Sequence, residues 1–219
     1  MKVVTFKEAK KHDRSNIRKI LELAIFVRPA QDDSTPVTAI WGPDGLIVPT
    51  DLQPIGLTTK DDGATWTRSQ ETSETTSHGY AQPTRIDVVS DVSGLTFTGQ
   101  ESKRTVMEVY HDLDLSGVTT DADGNFYFDK PDRPSQRRWE VWGIGKDGAG
   151  PDAIYTARIL PEAQITEMQD QAWTEGDETK YPCTMTGYVH EGWGTSLREI
   201  WGGPGLDHEA MGFPAPASG

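Results

Sequence analysis

The sequence predicts a mainly β fold, a β-sandwich or barrel with one flanking α-helix and a long extended loop. Short runs rich in β-branched and aromatic residues recur between clusters of Gly, Pro and Asp, as in all-β proteins. A single stretch, residues 101–113, has clear helical periodicity. The 22 Gly and 14 Pro among 219 residues indicate many turns and loops. One helix among about eight strands favours sheet packing as the architecture.

The first element is a basic arm, residues 1–16. Residues 1–28 contain eight Lys or Arg against three Asp or Glu, whereas the whole chain has a net charge of -13. A charged run of this kind is typical of a solvated segment. The alternative is that the arm docks on an acidic neighbouring copy. The acidic remainder argues against a nucleic-acid reader, which needs clustered cations.

A strand is predicted next, over residues 21–27. The preceding residues also fit a helix, but Ile25, Phe26 and Val27 favour a strand and Pro29 ends it. Residues 30–54 then form a long extended loop with four prolines, of the kind that is often functional. Its apolar residues are predicted to pack on the protein or on another subunit: Trp41, Leu46, Ile47 and Val48.

A hairpin is predicted from residues 55–59 and 64–72 around the Lys60–Gly63 turn, where Asp-Asp-Gly stands. The second of these strands has polar residues on both sides and therefore faces water, a lumen or a partner. Residues 85–98 form a strand with an apolar side, and Ser93-Gly94 suggests a bulge.

The helix at residues 101–113 has Ser102 as a candidate N-cap, or a capping box from Thr98 to Glu101, and ends by Gly117. A second loop, residues 118–136, follows. Further strands are predicted at 137–144, 153–160, 163–174 and 180–190. The β domain thus spans residues 17–203, and the Gly/Pro/Ala-rich residues 204–219 are predicted to be a flexible tail.

Cys183 is the one cysteine, which excludes an intrachain disulfide and predicts a buried apolar role in a strand. The N-terminus lacks the apolar run of a signal peptide, and the longest apolar stretch, residues 23–27, is too short to span a bilayer. We therefore expect a soluble chain that does not insert into membranes.

Sequence motifs for chemistry are incomplete. Gly143, Gly145 and Gly148 match a dinucleotide fingerprint, but Pro151 follows where a helix should begin, so a turn is favoured. Asp121, Asp123 and Asn125 begin like a calcium loop that then lacks its Gly and its final Glu. His190-Glu191 lacks the second His of a zincin. The prediction is a non-enzymatic protein without cofactor, metal or catalytic residue.

Seven tryptophans suggest carbohydrate stacking as a function of a different class, with Trp193 and Trp201 as the residues to test. The simpler interpretation is packing in strands. It applies to Trp66, Trp139, Trp142 and Trp173.

Three stretches together resemble the major tail proteins (tail tube proteins) of long flexible-tailed phages. They are Ile55-Gly-Leu-Thr-Thr-Lys-Asp-Asp-Gly63, then Gly79-Tyr-Ala-Gln-Pro-Thr-Arg85, then Leu95-Thr-Phe-Thr-Gly-Gln-Glu-Ser102 before residues 106–110. Residues 159–167 and 181–188 look like the family's late strands. The resemblance covers most of residues 17–201 and depends on order and spacing. The arm is longer and more basic than in the family, and we expect no additional C-terminal surface domain.

The resemblance implies a structural virion protein whose copies close into rings, hexameric in the family's manner, that stack into a tube for DNA delivery. It implies self-association, partnership with tape measure, tail terminator and distal tail proteins, and transient, non-specific passage of DNA. The chain would be made in the host cytoplasm and reside in the phage tail, and the loop at 30–54 would reach the next ring. The lumen-facing residues implied are Glu71, Glu74, Glu167 and Asp170. The contacts between subunits or rings implied are Lys10, Lys11, Arg14, Trp41, Leu46, Ile47, Val48, Val106 and Tyr110.

Two alternatives remain open besides the tube. A head-to-tail connector or tail-terminator protein would form one ring that does not elongate. A carbohydrate-binding β-sandwich module would bind glycans through exposed Trp.

Overall fold

A computed structural model of the chain describes residues 3–61, 63–133 and 135–215. Asp62, within the predicted Asp-Asp-Gly turn, and the ends of the predicted arm and tail lie outside the described residues. The elements of the first half are α1 (Phe6–Lys10), a 3-10 turn (Arg14–Asn16), β1 (Glu22–Pro29), β2 (Trp41–Gly42), β3 (Gly45–Leu46), β4 (Gln53–Pro54), β5 (Ala64–Thr75) and β6 (Arg85–Gly99). Those of the second half are α2 (Arg104–His111), β7 (Trp139–Asp147), a 3-10 turn (Gly150–Asp152), β8 (Ile154–Met168), β9 (Tyr181–Gly187) and β10 (Arg198–Gly202).

One antiparallel sheet dominates the fold and confirms the mainly β prediction. Among the described residues its strands run in the order β4-β1-β7-β8-β9-β6-β5, with β10 paired to β8 and a separate two-stranded β2–β3 ladder. No described pairing joins β5 to β1 or β4, so the sheet is not closed into a barrel. The sheet is nevertheless curled, as the contact between β5 and β7 shows. The Trp66 ring of β5 comes so close to β7 that a Cβ added to Gly143 would lie 2.6 Å from it.

The concave face of the sheet holds the main core. Its residues alternate along each strand as a pleated sheet requires, with Ile25 on β1, Val141 on β7, Leu95 on β6 and Met185 on β9 all buried. Helix α2 packs over β9 and inserts Val106 and Val109 into this core.

A second core lies on the opposite face of β1, β7 and β8. Trp142 and Ile159 point to this side, and the loop at residues 30–54 covers them with Ile40 and Leu52. The convex face of β9, β6 and β5 carries polar residues instead. The sheet therefore has an apolar, covered half and a polar half.

Several predicted elements are confirmed with shifted bounds. Strands at 21–27, 85–98, 137–144 and 180–190 correspond to β1, β6, β7 and β9, and the helix at 101–113 corresponds to α2. The predicted strands at 153–160 and 163–174 are joined through Pro161 into one strand, β8, which ends at Met168, so residues 169–174 lie outside it. A register shift between Trp139 and Val141 of β7 accommodates this proline, which has no N–H to give to the ladder.

The hairpin predicted from residues 55–59 and 64–72 is wrong. β5 pairs along its length with β6, and residues 55–59 form a β-bridge from Thr58 to Gly99 instead. Twelve residue pairs with β6 outweigh a local turn. The bulge is at Val89 and not at Ser93-Gly94. Gly94 has another role: a Cβ at this position would lie 2.7 Å from Thr67 Oγ1, so the close approach of the two strands requires a glycine.

The predicted caps of α2 are also wrong. Lys103 occupies the N-cap position and makes no side-chain cap hydrogen bond. Ser102 Oγ is 2.8 Å from the Tyr181 hydroxyl, and a Glu101 carboxylate oxygen accepts the backbone N–H of Leu57 at 2.6 Å. Ser102 thus binds strand β9, and Glu101 binds the loop that contains Leu57. Helix α1 was not predicted, and it begins with a full capping box between Thr5 and Glu8.

Candidate functional site

The β5 strand is a long free edge of the sheet. Within the described chain it pairs with β6 on one side, and its other side has no strand partner. Its twelve residues contain neither Pro nor Lys, the residues that commonly protect sheet edges from pairing with other chains. An edge of this length is a template for another copy of the chain.

Beyond the sheet, β5 and β6 continue as a two-stranded ribbon, residues 68–75 and 85–92. The pairing of β6 with β9 covers Gly94 to Gly99, so the remainder of β6 is held by β5. Arg68 forms an ion pair with Asp91, and Arg85 pairs with Asp87 at 2.6 Å. Both pairs are exposed. The hydrogen bond between Arg68 and Asp91 raises the pKa of Arg68 and lowers the pKa of Asp91, so it favours the charged form of each residue.

Three aliphatic residues on this ribbon are more than half exposed: Ile86 at 60%, Val88 at 58% and Val89 at 66%. Exposed aliphatic side chains grouped in this way on a projecting ribbon are typical of an interaction surface. The ribbon thus has both a backbone edge without a strand partner in the described chain and apolar side chains that the rest of the described chain does not cover.

The four lumen-facing candidates do not share one face. Glu71 and Glu74 are three positions apart on β5, and successive strand residues alternate faces, so they point to opposite sides of the sheet. Glu74 lies opposite Ile86, on the continuation of the concave face. Glu71 lies on the convex face with Glu167, which pairs with Thr184. One wall can therefore contain Glu71 and Glu167, but not Glu74 as well.

Asp170 follows β8 and is exposed, next to the Tyr110 hydroxyl, which donates to the Gln169 carbonyl at 2.9 Å. Burial raises the pKa of Tyr110, and the charge of Asp170 adds to this effect. This pKa shift is explained by burial and by one neighbouring charge, and it does not indicate a catalytic role for Tyr110 or Asp170.

The convex face of β5, β6 and β9 is rich in hydroxyl groups. Thr96 Oγ1 lies 3.0 Å from Thr184 Oγ1, and Thr166 Oγ1 lies 2.9 Å from Thr186 Oγ1, so rows of threonine cross the strands. Thr67 continues the pattern on β5. We call this surface, formed by Thr65, Thr67, Thr96, Thr166, Thr184 and Thr186 together with Glu71 and Glu167, the threonine face.

A groove of about 640 Å³ opens at the other end of β5, between the two margins of the curled sheet. Trp66, Leu57 and Leu21 contribute apolar surface, and Arg18 and Lys60 lie at its rim. Arg158 lies over the Trp66 ring, 5.8 Å from its centroid, and is paired with Glu199 at 2.9 Å. The residues that line this groove come from five distant parts of the sequence, so no local motif could have revealed it.

The loop at residues 30–54 is bound to its own sheet. Arg28 donates to the fully buried Glu140 from Nε at 3.0 Å and from Nη2 at 2.7 Å, and to Asp51 of the loop at 2.6 Å from Nη1. Burial opposes the charge of Arg28, but the hydrogen bonds to Glu140 and Asp51 outweigh it and raise its pKa. The Arg28 hydrogen bond also lowers the pKa of Asp51.

Two further contacts hold this loop. His190 Nε2 is 2.9 Å from the Gln31 carbonyl, and Trp41 stacks on Tyr155 with ring centroids 5.1 Å apart. The implied reach toward a next ring is therefore limited to the parts that stay exposed. Leu46 and Ile47 are 42% and 48% exposed, whereas Val48 packs on the second core.

The remaining contact candidates divide by exposure. Lys10, Lys11 and Arg14 are exposed, and α1 has no buried residue. Val106 is 2% exposed in the protein's own core, so its side chain is not available to a neighbouring copy, which corrects that assignment. Tyr110 is half-buried and has an edge-to-face contact with Tyr181 at 5.5 Å.

Three of the seven tryptophans, Trp139, Trp142 and Trp193, are too buried to stack on a sugar. Trp139 and Trp142 are buried, as predicted, and Trp66 packs on the main core. Trp193 is 6% exposed and donates to Ser34 Oγ, so it cannot stack on a glycan. Trp173 lies after β8 and is 82% exposed, so it is neither a strand residue nor part of the chain's own core.

The incomplete motifs have structural explanations. Gly143 and Gly145 lie inside β7, and Gly148 begins the connection to β8. Asp121 Oδ1 accepts the N–H groups of Asp123 and Asn125 within a tight turn. The described residues contain no group of three or more His, Cys, Asp or Glu side chains arranged to hold a metal. Cys183 is buried, as predicted, and burial raises the pKa of its thiol.

Comparisons with known proteins give a weak structural similarity. No protein-family model matches the chain, and no curated protein matches it. A solved structure described as "Crystal structure of Hcp protein" is similar over 80% of this chain and 97% of its own, with 10% identity and a TM-score of 0.30. At that TM-score we take no inference about this chain from the similarity. None of the described helices has the length and apolar character needed to cross a membrane.

Proposed function

We propose that this chain is a structural, non-enzymatic subunit that assembles with copies of itself into rings and stacked tubes for the passage of DNA. The observation that carries the proposal is the unprotected β5 edge with its projecting ribbon. Along these twelve residues the backbone donors and acceptors of alternate residues point away from β6 toward another chain, and the strand has no proline or lysine to prevent pairing. Strand addition between identical copies satisfies such an edge.

The sequence resemblance gives this assembly its biological setting. A subunit of this kind belongs to the tail of a long flexible-tailed phage, after synthesis in the host cytoplasm. Tape measure, tail terminator and distal tail proteins are the partners that this role implies. The exposed Lys10, Lys11 and Arg14 of the arm, with Leu46 and Ile47, supply further surface for contacts between rings.

The threonine face is the surface best suited to a channel wall. Its hydroxyl groups pair with one another across strands, and Glu71 and Glu167 add negative charge. Passing phosphates are repelled by such carboxylates, whereas a wall rich in Lys and Arg would hold DNA by counterion release. Glu71 and Glu167 are therefore the wall carboxylates in this proposal.

Negative-stain microscopy of the purified full chain tests the proposal. Long hollow tubes are the expected result. Single rings that never elongate would replace it with a connector or terminator role. A monomer that persists at high protein concentration would overturn the proposal.

A further inference from the structure

We infer that the tip of the β5–β6 ribbon of one copy docks in the groove between the sheet margins of a second copy. This inference rests on the proposed function and names the surfaces through which copies associate. The donor surface consists of Ile86, Val88 and Glu74. The acceptor surface is the groove with Leu57, Trp66 and Lys60.

The donor surface is set by strand register. Ile86 lies directly opposite Glu74, and Val88 lies opposite Thr72, so the two aliphatic side chains and the carboxylate share one face. Ile86 and Val88 are 60% and 58% exposed. Glu74 forms no ion pair with any described residue, unlike the arginines of the ribbon. The tip therefore presents an apolar pair beside an unpaired negative charge.

The acceptor surface has the complementary composition. Leu57 and Leu21 in the groove are 69% and 59% exposed. Glu22 and Arg158 are each paired within their own copy. Lys60 has no ion pair among the residues that the structure describes, and the neighbouring Asp61 is the one acidic group there that is likewise unpaired.

Arg18 reinforces the positive side of this rim. Its Nε is buried without a hydrogen-bond partner in the described chain, as is Thr156 Oγ1, which also lines the groove. Arg18 Nη1 donates to the Ser15 carbonyl, but among the described residues neither Arg18 nor Lys60 has an ion pair. With these two cations against Asp61, the rim favours an acidic occupant. The basic arm of a second copy would meet like charge, and the Glu74 carboxylate would not.

The contact must form between copies. Trp66 in the groove and Thr75 at the ribbon tip are nine residues apart on one strand, a separation of about 30 Å at roughly 3.3 Å per residue. A tip that points away from its own groove can fill only the groove of another copy. Two different surfaces then meet, and such a head-to-tail contact repeats until it closes a ring or continues as a filament.

Cysteine cross-linking between two variants tests the contact directly. Val88→Cys and Leu57→Cys are mixed under mild oxidation, and native Cys183 is buried. The expected product is a covalent dimer from the mixture and from neither variant alone. Val92→Cys, on the opposite face of the ribbon, is the matched control for Val88. Equal cross-linking of Val92→Cys, or none of Val88→Cys, overturns the inference.

Charge reversal gives an independent readout by sedimentation. Glu74→Lys and Lys60→Glu should each weaken self-association by roughly tenfold, and the double variant should recover most of it. Glu71→Lys, on the other face of β5, should leave association unchanged. Ile86→Ser with Val88→Ser should weaken it by on the order of a hundredfold, since two apolar side chains lose their burial.

Different results would contradict the docking contact and the proposed function. If the wild type assembles and the Glu74, Lys60 and Ile86/Val88 variants assemble equally well, the docking contact is wrong and the proposed function stands. If the wild type does not assemble, the proposed function itself is wrong. If a basic-arm variant, Lys10→Glu with Lys11→Glu, abolishes assembly and Glu74→Lys does not, the arm is the occupant and the ribbon is not.

Discussion

Replacing Arg28 by Met should destabilise the fold strongly. Glu140 is fully buried and receives two hydrogen bonds from Arg28, at 3.0 and 2.7 Å, and one from Trp142 Nε1 at 2.6 Å. Without the guanidinium, a buried carboxylate keeps the tryptophan as its one described donor. Breaking a buried ion pair in this way costs about 3–5 kcal/mol. The loop at residues 30–54 also loses its link through Asp51.

Urea unfolding followed by tryptophan fluorescence measures this change, and limited proteolysis reports the release of the loop. Adding Glu140→Gln to Arg28→Met should restore about half of the loss or more, because the amide carries no charge and its oxygen still accepts from Trp142. Arg85→Met is the matched control, since that exposed pair should contribute less than about 1 kcal/mol. An Arg28→Met variant within 1 kcal/mol of the wild type would refute the reasoning.

Three further predictions concern single sites. Gly143→Ala should lower the melting temperature by roughly 2–10 °C in a thermal scan, because the new Cβ would lie 2.6 Å from the Trp66 ring; an unchanged value would mean that the ring moves freely. Cys183 should react with a thiol reagent in urea but not in the native state, since it is 1% exposed; rapid native labelling would contradict the burial of β9. Asp51→Asn should reduce the unfolding free energy above about pH 4, the range in which the lowered pKa keeps Asp51 charged and the unfolded carboxyl is charged as well. This difference should vanish as the pH falls through that lowered pKa, and a difference that persists after Asp51 has become protonated would exclude the Arg28 hydrogen bond as its cause.

The sequence is informative where burial and local pattern agree. The alternation in β1, β6 and β9 and the apolar stripe of α2 reflect the core that these elements form, so their positions are predictable. Cys183 follows from the same alternation. The polar character of β5 on both faces is visible as well, and it is the property on which the proposed assembly depends.

Long-range pairing decides the rest. The Asp-Asp-Gly segment favours a local hairpin, but β6 is available over twelve positions and takes β5 as its partner. Pro161 reads as a strand end until a bulge in the ladder accommodates it. The Arg28–Glu140 pair is 112 residues apart in sequence, and the groove combines segments from across the chain. A short stretch of sequence cannot contain both partners of such contacts, so sequence patterns do not predict them.

The central claim is that the working unit is a hollow assembly with the threonine face on its inner wall. Cryo-electron microscopy of the assembled full chain measures this directly. The account predicts a continuous channel with Glu71 and Glu167 facing it and the β5 edge paired with a neighbouring copy. A solid assembly, or a channel lined by the opposite face of the sheet, would contradict it.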